Sequence, residues 1–189
     1  MKKTFLAVAL IIILAFNAYA GSPTDEGVYS LSGSISYSHI NENGATSISI
    51  TPAMFYFVYP NLAVGASFIY WDYDSDYNDV KTYGVGPVVR YYFGKDTIYP
   101  FASVEYTYTR SKNESNFSGF SSNINVHGND LSLGLGIDYF LSKNVALEPI
   151  VRYTFSHYDT DISSFGSTTN SSDRDETLFI GIGIAAFIF

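Results

Sequence analysis

The chain has no cysteine among its 189 residues. Disulfide bonds and thiolate metal sites are therefore excluded, and the fold must be held by hydrogen bonds and packing alone. Charged residues are scarce at 15%, and acidic residues outnumber basic ones to give a net charge of −8. Because nucleic-acid binding needs clustered cations to neutralise phosphates, this composition argues against a nucleic-acid partner. The sequence also lacks a Gly-rich phosphate-binding loop, and we expect no cofactor.

Long apolar runs are confined to the first segment of the chain. Two lysines at positions 2 and 3 precede an apolar stretch over residues 5–16, and the small-residue motif Ala18-Tyr19-Ala20 follows. This order predicts a signal peptide over residues 1–20, cleaved between Ala20 and Gly21. The stretch is too short for a transmembrane helix, which needs about 20 apolar residues. Residues 21–189 are then an exported domain whose net charge is −10, since the −8 of the whole chain loses two lysines.

Aromatic residues are abundant, with 17 tyrosines and 15 phenylalanines. From Tyr29 onward, apolar residues alternate with small polar ones at the two-residue period of a β-strand. The alternation predicts eight strands, over residues 29–38, 47–56, 62–70, 83–91, 102–109, 131–139, 147–156 and 177–189. Most of these reach the roughly 9–11 residues that a tilted strand needs to cross a bilayer.

The composition of the two strand faces decides which one is outside. The polar face consists mainly of Ser, Gly and Thr, which are too small and too uncharged for a solvated exterior but suit a narrow interior. The other face is aliphatic and aromatic; in water it would form a very large sticky patch, whereas lipid requires such a surface. The pattern therefore favours a barrel with its apolar face toward lipid.

The predicted connections between strands alternate in length. Short links fall at residues 57–61, 94–97 and 141–144, and longer polar links at residues 40–46, 72–81, 110–129 and 158–176. Short turns on one rim and longer loops on the other are typical of outer-membrane barrels with an even number of strands. The sequence therefore predicts an all-β, eight-stranded antiparallel up-and-down transmembrane β-barrel in the bacterial outer membrane, with both termini in the periplasm.

Aromatic residues gather near the predicted strand ends, and amphipathic rings prefer the two membrane interfaces. The belt expected at the periplasmic interface consists of Tyr56, Phe57, Tyr91, Phe93, Tyr139, Phe140, Phe187 and Phe189. The belt expected at the outer interface consists of Tyr37, Tyr70, Tyr83, Tyr108 and Phe155.

Some positions interrupt the regular strand pattern. Proline avoids ladder positions, so we expect β-bulges at Pro52, Pro87 and Pro149. In the last strand, the isoleucines from 180 to 188 have the parity opposite to that of Phe187 and Phe189. Either a bulge near Ala185-Ala186 turns the isoleucines before it toward lipid, or the strand places an apolar patch inside the barrel.

A repeated motif and the chain terminus carry a resemblance to a known family. Tyr56-Phe57 followed by Asn61-Leu62-Ala63 recurs at the same spacing as Tyr139-Phe140 followed by Asn144-Val145-Ala146, and the chain ends in Phe187-Ile188-Phe189. In these features it resembles the small outer-membrane barrels of the OmpA/OmpX type and the broader outer-membrane β-barrel domain family. The resemblance implies that Phe187 and Phe189 are recognised by the barrel assembly machinery. It covers residues 21–189, and we expect no counterpart of the soluble peptidoglycan-binding domain of OmpA-like proteins.

Nearly all charges within the predicted strands lie on the polar face, namely Arg90, Glu105, Asp138, Glu148 and Arg152. An eight-stranded interior is just wide enough for side chains to fill, so these five should meet. An unpaired charge there would cost several kcal/mol, whereas a paired and hydrogen-bonded cluster can persist. We therefore expect an ionic cluster that closes the lumen.

Acidic residues are concentrated in the second predicted outer loop, where Asp72, Asp74 and Asp76 form a D-x-D-x-D run. The run resembles the start of a calcium loop, but Tyr77 stands in place of the required Gly and Tyr83 in place of the final Glu. It is thus a weak metal candidate. A solvated acidic loop, bridged to lipopolysaccharide by divalent ions, is the favoured interpretation.

Three functions remain open for such a barrel. The favoured one is a structural or surface-interaction role, adhesin-like, in which the outer loops contact lipopolysaccharide or an extracellular or host ligand. A small diffusion pore is the second, and steady channels in planar bilayers would favour it, although eight strands leave little room for water. A lipid-A-modifying enzyme is the third. His39, His127 and His157 come with no complete nucleophile, base and orienting group, so we expect no enzyme.

Overall fold

The computed structural model describes residues 21–40, 45–75, 78–94, 97–117, 120–164 and 167–189, and the predicted signal peptide lies outside them. Each strand pairs antiparallel with the next and β8 pairs with β1, which closes a barrel. The strands are β1 (Tyr29–Ile40), β2 (Ala45–Tyr59), β3 (Leu62–Asp74), β4 (Asn78–Tyr92), β5 (Ile98–Phe117), β6 (Phe120–Phe140), β7 (Val145–Ser164) and β8 (Ser167–Ile188). This confirms the predicted eight-stranded, up-and-down antiparallel barrel. In the described residues, no helix has the length and apolarity needed to cross a membrane.

The two ends of the barrel differ. At one end, which we call the turn rim, lie the β2–β3, β4–β5 and β6–β7 connections together with the start of β1 and the end of β8. The opposite end is the hairpin rim. There, β5 to β8 rise higher, because they have 20 to 22 residues whereas β1 to β4 have 12 to 15.

The prediction that residues 110–129 and 158–176 form long loops is wrong, because both segments continue as paired strands. The β5–β6 ladder continues to the pair Phe117–Phe120, and the β7–β8 ladder continues to Ser164–Ser167. These Ser- and Asn-rich segments lack the apolar alternation from which strands were predicted, yet every backbone N–H and C=O can still pair across a ladder. The second predicted loop also shortens to the few residues between Asp74 and Asn78.

The alternation sorts the side chains as predicted from composition. On β6, the side chains of Leu131, Leu133, Leu135 and Ile137 point outward and are 40–66% exposed, whereas Ser132 and Asp138 are buried inside. The same division holds on β8, where Ile180 and Ile182 are 73% and 70% exposed. An apolar exterior around a polar interior is the arrangement that a bilayer requires.

The prediction of β-bulges at the three prolines is wrong. Pro52, Pro87 and Pro149 each keep an unshifted register with one neighbouring strand, and pairing lapses only on the other side. Missing pairs are the direct consequence of a residue without an N–H donor. Among the described strands, the pairing of β2 with β3 shifts its register elsewhere, between Phe57 and Tyr59.

The last strand takes the second of the two expected arrangements, an apolar patch inside the barrel, and Phe187 and Ala185 form that patch. The pairing of β8 with β7 and with β1 runs without a shift through Ala185 and Ala186, so no bulge forms there. The isoleucines of β8 all point outward, and Phe187 therefore points into the barrel, where it is fully buried.

The aromatic belts are partly as expected. Exposed aromatic rings encircle the turn rim at Tyr56, Tyr91, Phe93 and Tyr139, and the other end at Tyr37, Tyr83, Tyr108 and Phe155. Four residues assigned to the periplasmic belt lie elsewhere: Phe57 and Phe187 are fully buried, and Phe140 and Phe189 pack against the core. These four were assigned to a belt because they lie near strand ends. They occupy the alternate positions whose side chains point inward, however, and so they lie inside the barrel.

Candidate functional site in the barrel lumen

The turn rim is closed from inside by a cluster of rings that we call the aromatic floor. Its members are Phe55, Phe57, Tyr92, Tyr99, Phe101 and Phe187, with Phe140 and Phe189 packed against them. Phe57 and Tyr92 have their ring centroids 5.5 Å apart, and Tyr92 and Phe101 are separated by 5.4 Å. Such tilted ring pairs contribute beyond their buried area. Sequence reasoning missed Tyr92, Tyr99 and Phe101, although Tyr92 shares the parity of Arg90 and Phe101 that of Glu105.

The two repeated asparagines fasten this floor. Asn61, at a φ of 67°, accepts a hydrogen bond from the Thr24 hydroxyl at 2.8 Å and so holds the segment before β1 under the barrel. Asn144 donates from its side chain to the backbone oxygen of Phe187 at 2.8 Å, and the Phe187 N–H donates to the Asn144 oxygen at 2.8 Å. The repeated motif therefore marks turns that hold the segment before β1 and the end of β8.

Above the floor, Arg90 on β4 reaches across the lumen to Glu148 on β7. Its two terminal nitrogens donate to the two carboxylate oxygens at 2.7 Å and 3.1 Å, a bidentate pair. The guanidinium carbon also lies 4.3 Å and 4.0 Å from the ring centroids of Phe55 and Phe101. Both charged side chains are at most 7% exposed. Charge and stacking together hold the cation in one position.

Asp138 is attached to this pair through Tyr92. Arg90 donates to the Tyr92 hydroxyl at 3.2 Å, and that hydroxyl donates to Asp138 Oδ2 at 3.0 Å. Asp138 is fully buried, and its Oδ1 has no hydrogen-bond partner among the described residues. One cation thus serves two carboxylates, which makes Arg90 the centre of the lower cluster.

The other two predicted cluster residues form a second, looser pair nearer the hairpin rim. Arg152 Nη1 lies 3.7 Å from Glu105 Oε2, and the Arg152 side chain is 25% exposed. Glu105 is buried and accepts hydrogen bonds from the hydroxyls of Ser67 and Thr107. The structure therefore places all five predicted charges inside the barrel, as a tight lower group and a looser upper pair.

A cavity of about 210 Å³ lies beside these charges, toward the hairpin rim. Small hydroxyl side chains such as Ser34, Ser36 and Thr154 line part of it, and Arg152 and Phe179 line another part. The cavity is smaller than the roughly 300–1,000 Å³ of pockets that bury drug-sized molecules. The lumen is therefore a partly filled chamber above a closed floor.

The acidic run does not assemble into a metal site within the described residues. Asp72 and Asp74 lie on β3, where Asp72 accepts a hydrogen bond from the Tyr70 hydroxyl at 2.8 Å, and Asp76 lies outside the described residues. In the described part of the chain, no group of three or more His, Asp or Glu side chains is placed to hold a metal ion.

The histidines offer one grouping with the residue types of a hydrolase. Ser172 Oγ lies 3.4 Å from His157 Nε2, and Asp159 lies 3.9 Å from the same nitrogen. A nucleophile and an orienting carboxylate need to contact opposite ring nitrogens, because one must be a base while the other carries a proton. This arrangement therefore does not form a catalytic triad.

Comparison with known proteins shows the family to which the chain belongs. The family model described as "Outer membrane protein beta-barrel domain" matches residues 6–186. No curated protein shows significant sequence similarity to the chain.

Several solved barrels have a similar fold. The outer membrane protein OprG of Pseudomonas aeruginosa is 14% identical, with a TM-score of 0.61 over 89% of this chain and 99% of that one. The N-terminal β-barrel domain of OprF from the same organism is 11% identical, with a TM-score of 0.52 over 86% and 98%. The translocator domain of the autotransporter NalP from Neisseria meningitidis is 14% identical, with a TM-score of 0.52 over 98% and 67%. At these identities the likeness concerns the fold alone.

Proposed function

Since the chain belongs to the outer membrane protein beta-barrel domain family, we propose that it is a non-enzymatic barrel that holds two tall hairpins at the bacterial surface. In this proposal the turn rim faces the periplasm and the hairpin rim faces the medium. The hairpins, β5–β6 and β7–β8, are the parts that contact lipopolysaccharide or an extracellular ligand.

The observation that carries the proposal is the length of β5 to β8. A tilted strand crosses a bilayer with about 9–11 residues, whereas these four strands have 20 to 22. The surplus of about ten residues spans roughly 33 Å along the strand. Paired strands of that height form a stiff, polar projection, which suits presentation of a binding surface better than a disordered loop does.

The closed lumen supports a structural role over a pore. The aromatic floor fills the turn rim, and the pair of Arg90 with Glu148 lies directly above it with both side chains at most 7% exposed. A water-filled channel would need these groups hydrated. Phe187 and Phe189 lie at the C-terminal end of β8, and we propose that the assembly machinery recognises them before Phe187 turns inward.

Labelling on intact cells tests the orientation directly. The absence of cysteine allows Ser171→Cys, on the exposed end of β8, and Lys143→Cys, in the β6–β7 turn, to be compared without a background signal. A membrane-impermeant maleimide is expected to label position 171 on intact cells and position 143 only after the outer membrane is disrupted. The reverse pattern would contradict the proposed orientation.

A further inference from the structure

The barrel wall is incomplete between its first and last strands. β1 pairs with β8 only from Tyr29 to Gly33, opposite Ile188 to Ile184. The remainder of β1, Ser34–Ile40, has partners on β2 but none on β8 within the described strands. The other neighbouring strands stay paired nearly along their shared length, so the two edges separate above Gly33 at this seam alone in the described part of the barrel.

Apolar side chains border the gap on its outer surface. Ile35 and Tyr37 on β1 are 59% and 67% exposed, and Ile180 and Ile182 on β8 are 73% and 70% exposed. Apolar borders of this kind indicate that the gap opens toward lipid rather than toward water. Unpaired backbone is tolerated at membrane depth only where it is covered or lines a cavity, and this gap adjoins one.

The cavity inside the barrel reaches the gap. Ser34 and Ser36 on β1 and Phe179 and Gly183 on β8 line it. Ser36 and Phe179 have inward parity, yet both are exposed, as expected where the wall is open. The Phe179 ring lies over Gly181, where an added Cβ would come within 2.4 Å of it. The edge of β8 thus presents an aromatic ring and two glycines to the opening.

Two arginines and two glutamates line the cavity, and the most exposed of these charges is Arg152. Arg90, Glu105 and Glu148 are each paired and at most 7% exposed on the side chain, whereas Arg152 is 25% exposed with its carboxylate partner at 3.7 Å. Arg152 therefore retains N–H donors for an anion, and a guanidinium is well shaped for a carboxylate. Apolar surface from Ile150 and Phe179 lies in the same cavity.

We propose that the gap between β1 and β8 is a lateral entrance through which a single-chain carboxylate amphiphile, a free fatty acid, binds from the membrane. Its carboxylate contacts Arg152, its first carbons occupy the cavity, and the rest of its chain leaves between Ile35 and Ile182 into lipid. A cavity of about 210 Å³ admits one head group with a few carbons and excludes a two-chain phospholipid. The proposal needs a barrel that spans the bilayer, and the control below tests that separately.

Crosslinking across the gap tests the entrance in the full barrel, reconstituted in nanodiscs. Extension of the β1–β8 register places Ile35 opposite Ile182, so the variant Ile35→Cys/Ile182→Cys can lock the gap. Its matched control is Val89→Cys/Val104→Cys, outward positions in the paired lower part of the β4–β5 seam. We expect the first pair to oxidise at least ten times more slowly than the control. Equal rates would show a closed wall and overturn the proposal, whereas a control that fails to oxidise would show that the barrel itself is wrong.

Binding is measured with doxyl-labelled stearic acid, whose immobilised electron spin resonance component reports the bound fraction. Wild type and the reduced variant are expected to bind it, and the oxidised variant to lose it. Arg152→Gln should weaken binding at least about tenfold, because a hydrogen bond between two charged groups is among the strong ones. Lys143→Gln, in an exposed turn, should leave it unchanged. The methyl ester of the probe should not bind. Probe binding that survives oxidation of the cysteine pair would overturn the proposal. So would a probe that binds equally well to the Arg152→Gln variant and binds equally well as its methyl ester.

Discussion

Replacement of Arg90 by alanine is expected to lower the free energy of unfolding by about 3–5 kcal/mol, the cost of leaving a buried carboxylate without its partner. The loss falls on two acids, because Arg90 binds Glu148 directly and reaches Asp138 through Tyr92. The guanidinium also fills the space between the rings of Phe55 and Phe101. Reversible urea unfolding of the barrel in phospholipid vesicles measures the change.

Arg152→Ala is the matched control for this result. Arg152 is also a lumen arginine paired with a glutamate, but it is partly exposed and its pair distance is 3.7 Å. Glu105 is buried but keeps hydrogen bonds from the hydroxyls of Ser67 and Thr107, so a smaller loss, of about 1 kcal/mol, is expected. In the double variant Arg90→Met/Glu148→Met, apolar side chains replace both charges, and much of the stability should return. Equal losses for Arg90→Ala and Arg152→Ala would show that the lower cluster does not hold the barrel together.

A second large effect is expected from Gly86→Ala on β4. A Cβ at this position would lie 1.9 Å from the backbone oxygen of Tyr106 and 2.7 Å from Thr107 Cα. Both atoms belong to the backbone of β5 rather than to a side chain that could rotate away. Relief of the clash requires the two strands to move apart, and we expect a loss of about 3 kcal/mol, the upper end of the usual range for overpacking.

Gly134→Ala on β6 separates backbone crowding from the general effect of filling the lumen. Its Cβ would lie 2.4 Å from Ser103 Oγ and 3.6 Å or more from other atoms. Because a serine side chain can rotate away, the loss should stay below about 1 kcal/mol. Heat-modifiable migration in detergent gels, followed against temperature, compares the two variants. Similar melting of the two would show that β4 and β5 are not as close as described.

The period-two alternation was sufficient to predict the strands and the inward direction of the five lumen charges. Parity alone assigns Arg90, Glu105, Asp138, Glu148 and Arg152 to the interior, since each lies on the face of small polar residues. It does not show which cation meets which acid. Arg90 and Glu148 are on β4 and β7, which are not neighbours, so their contact depends on the relative height of strands across the lumen.

Other predictions from the sequence were wrong because they relied on position along a strand or on apolar alternation alone. Phe57 and Phe187 were assigned to a membrane belt because they lie near strand ends, yet both point inward and close the turn rim. The tall hairpins were predicted as loops because they lack apolar alternation, although the β5–β6 ladder continues to Phe117 and Phe120. The gap between β1 and β8 has no sequence signal, because pairing at the closing seam depends on the geometry of the whole barrel.

In the proposed membrane barrel, the aliphatic face of each strand contacts acyl chains while the Ser and Gly face lines the lumen. Nitroxide labels placed one at a time at residues 131–137 of β6, in the cysteine-free chain reconstituted in bilayers, test it by their collision rates with dissolved oxygen. High rates are expected at Leu131, Leu133, Leu135 and Ile137, and low rates at the residues between them. A reversed or absent two-residue period, or a compact protein that stays dissolved without detergent, would contradict the account.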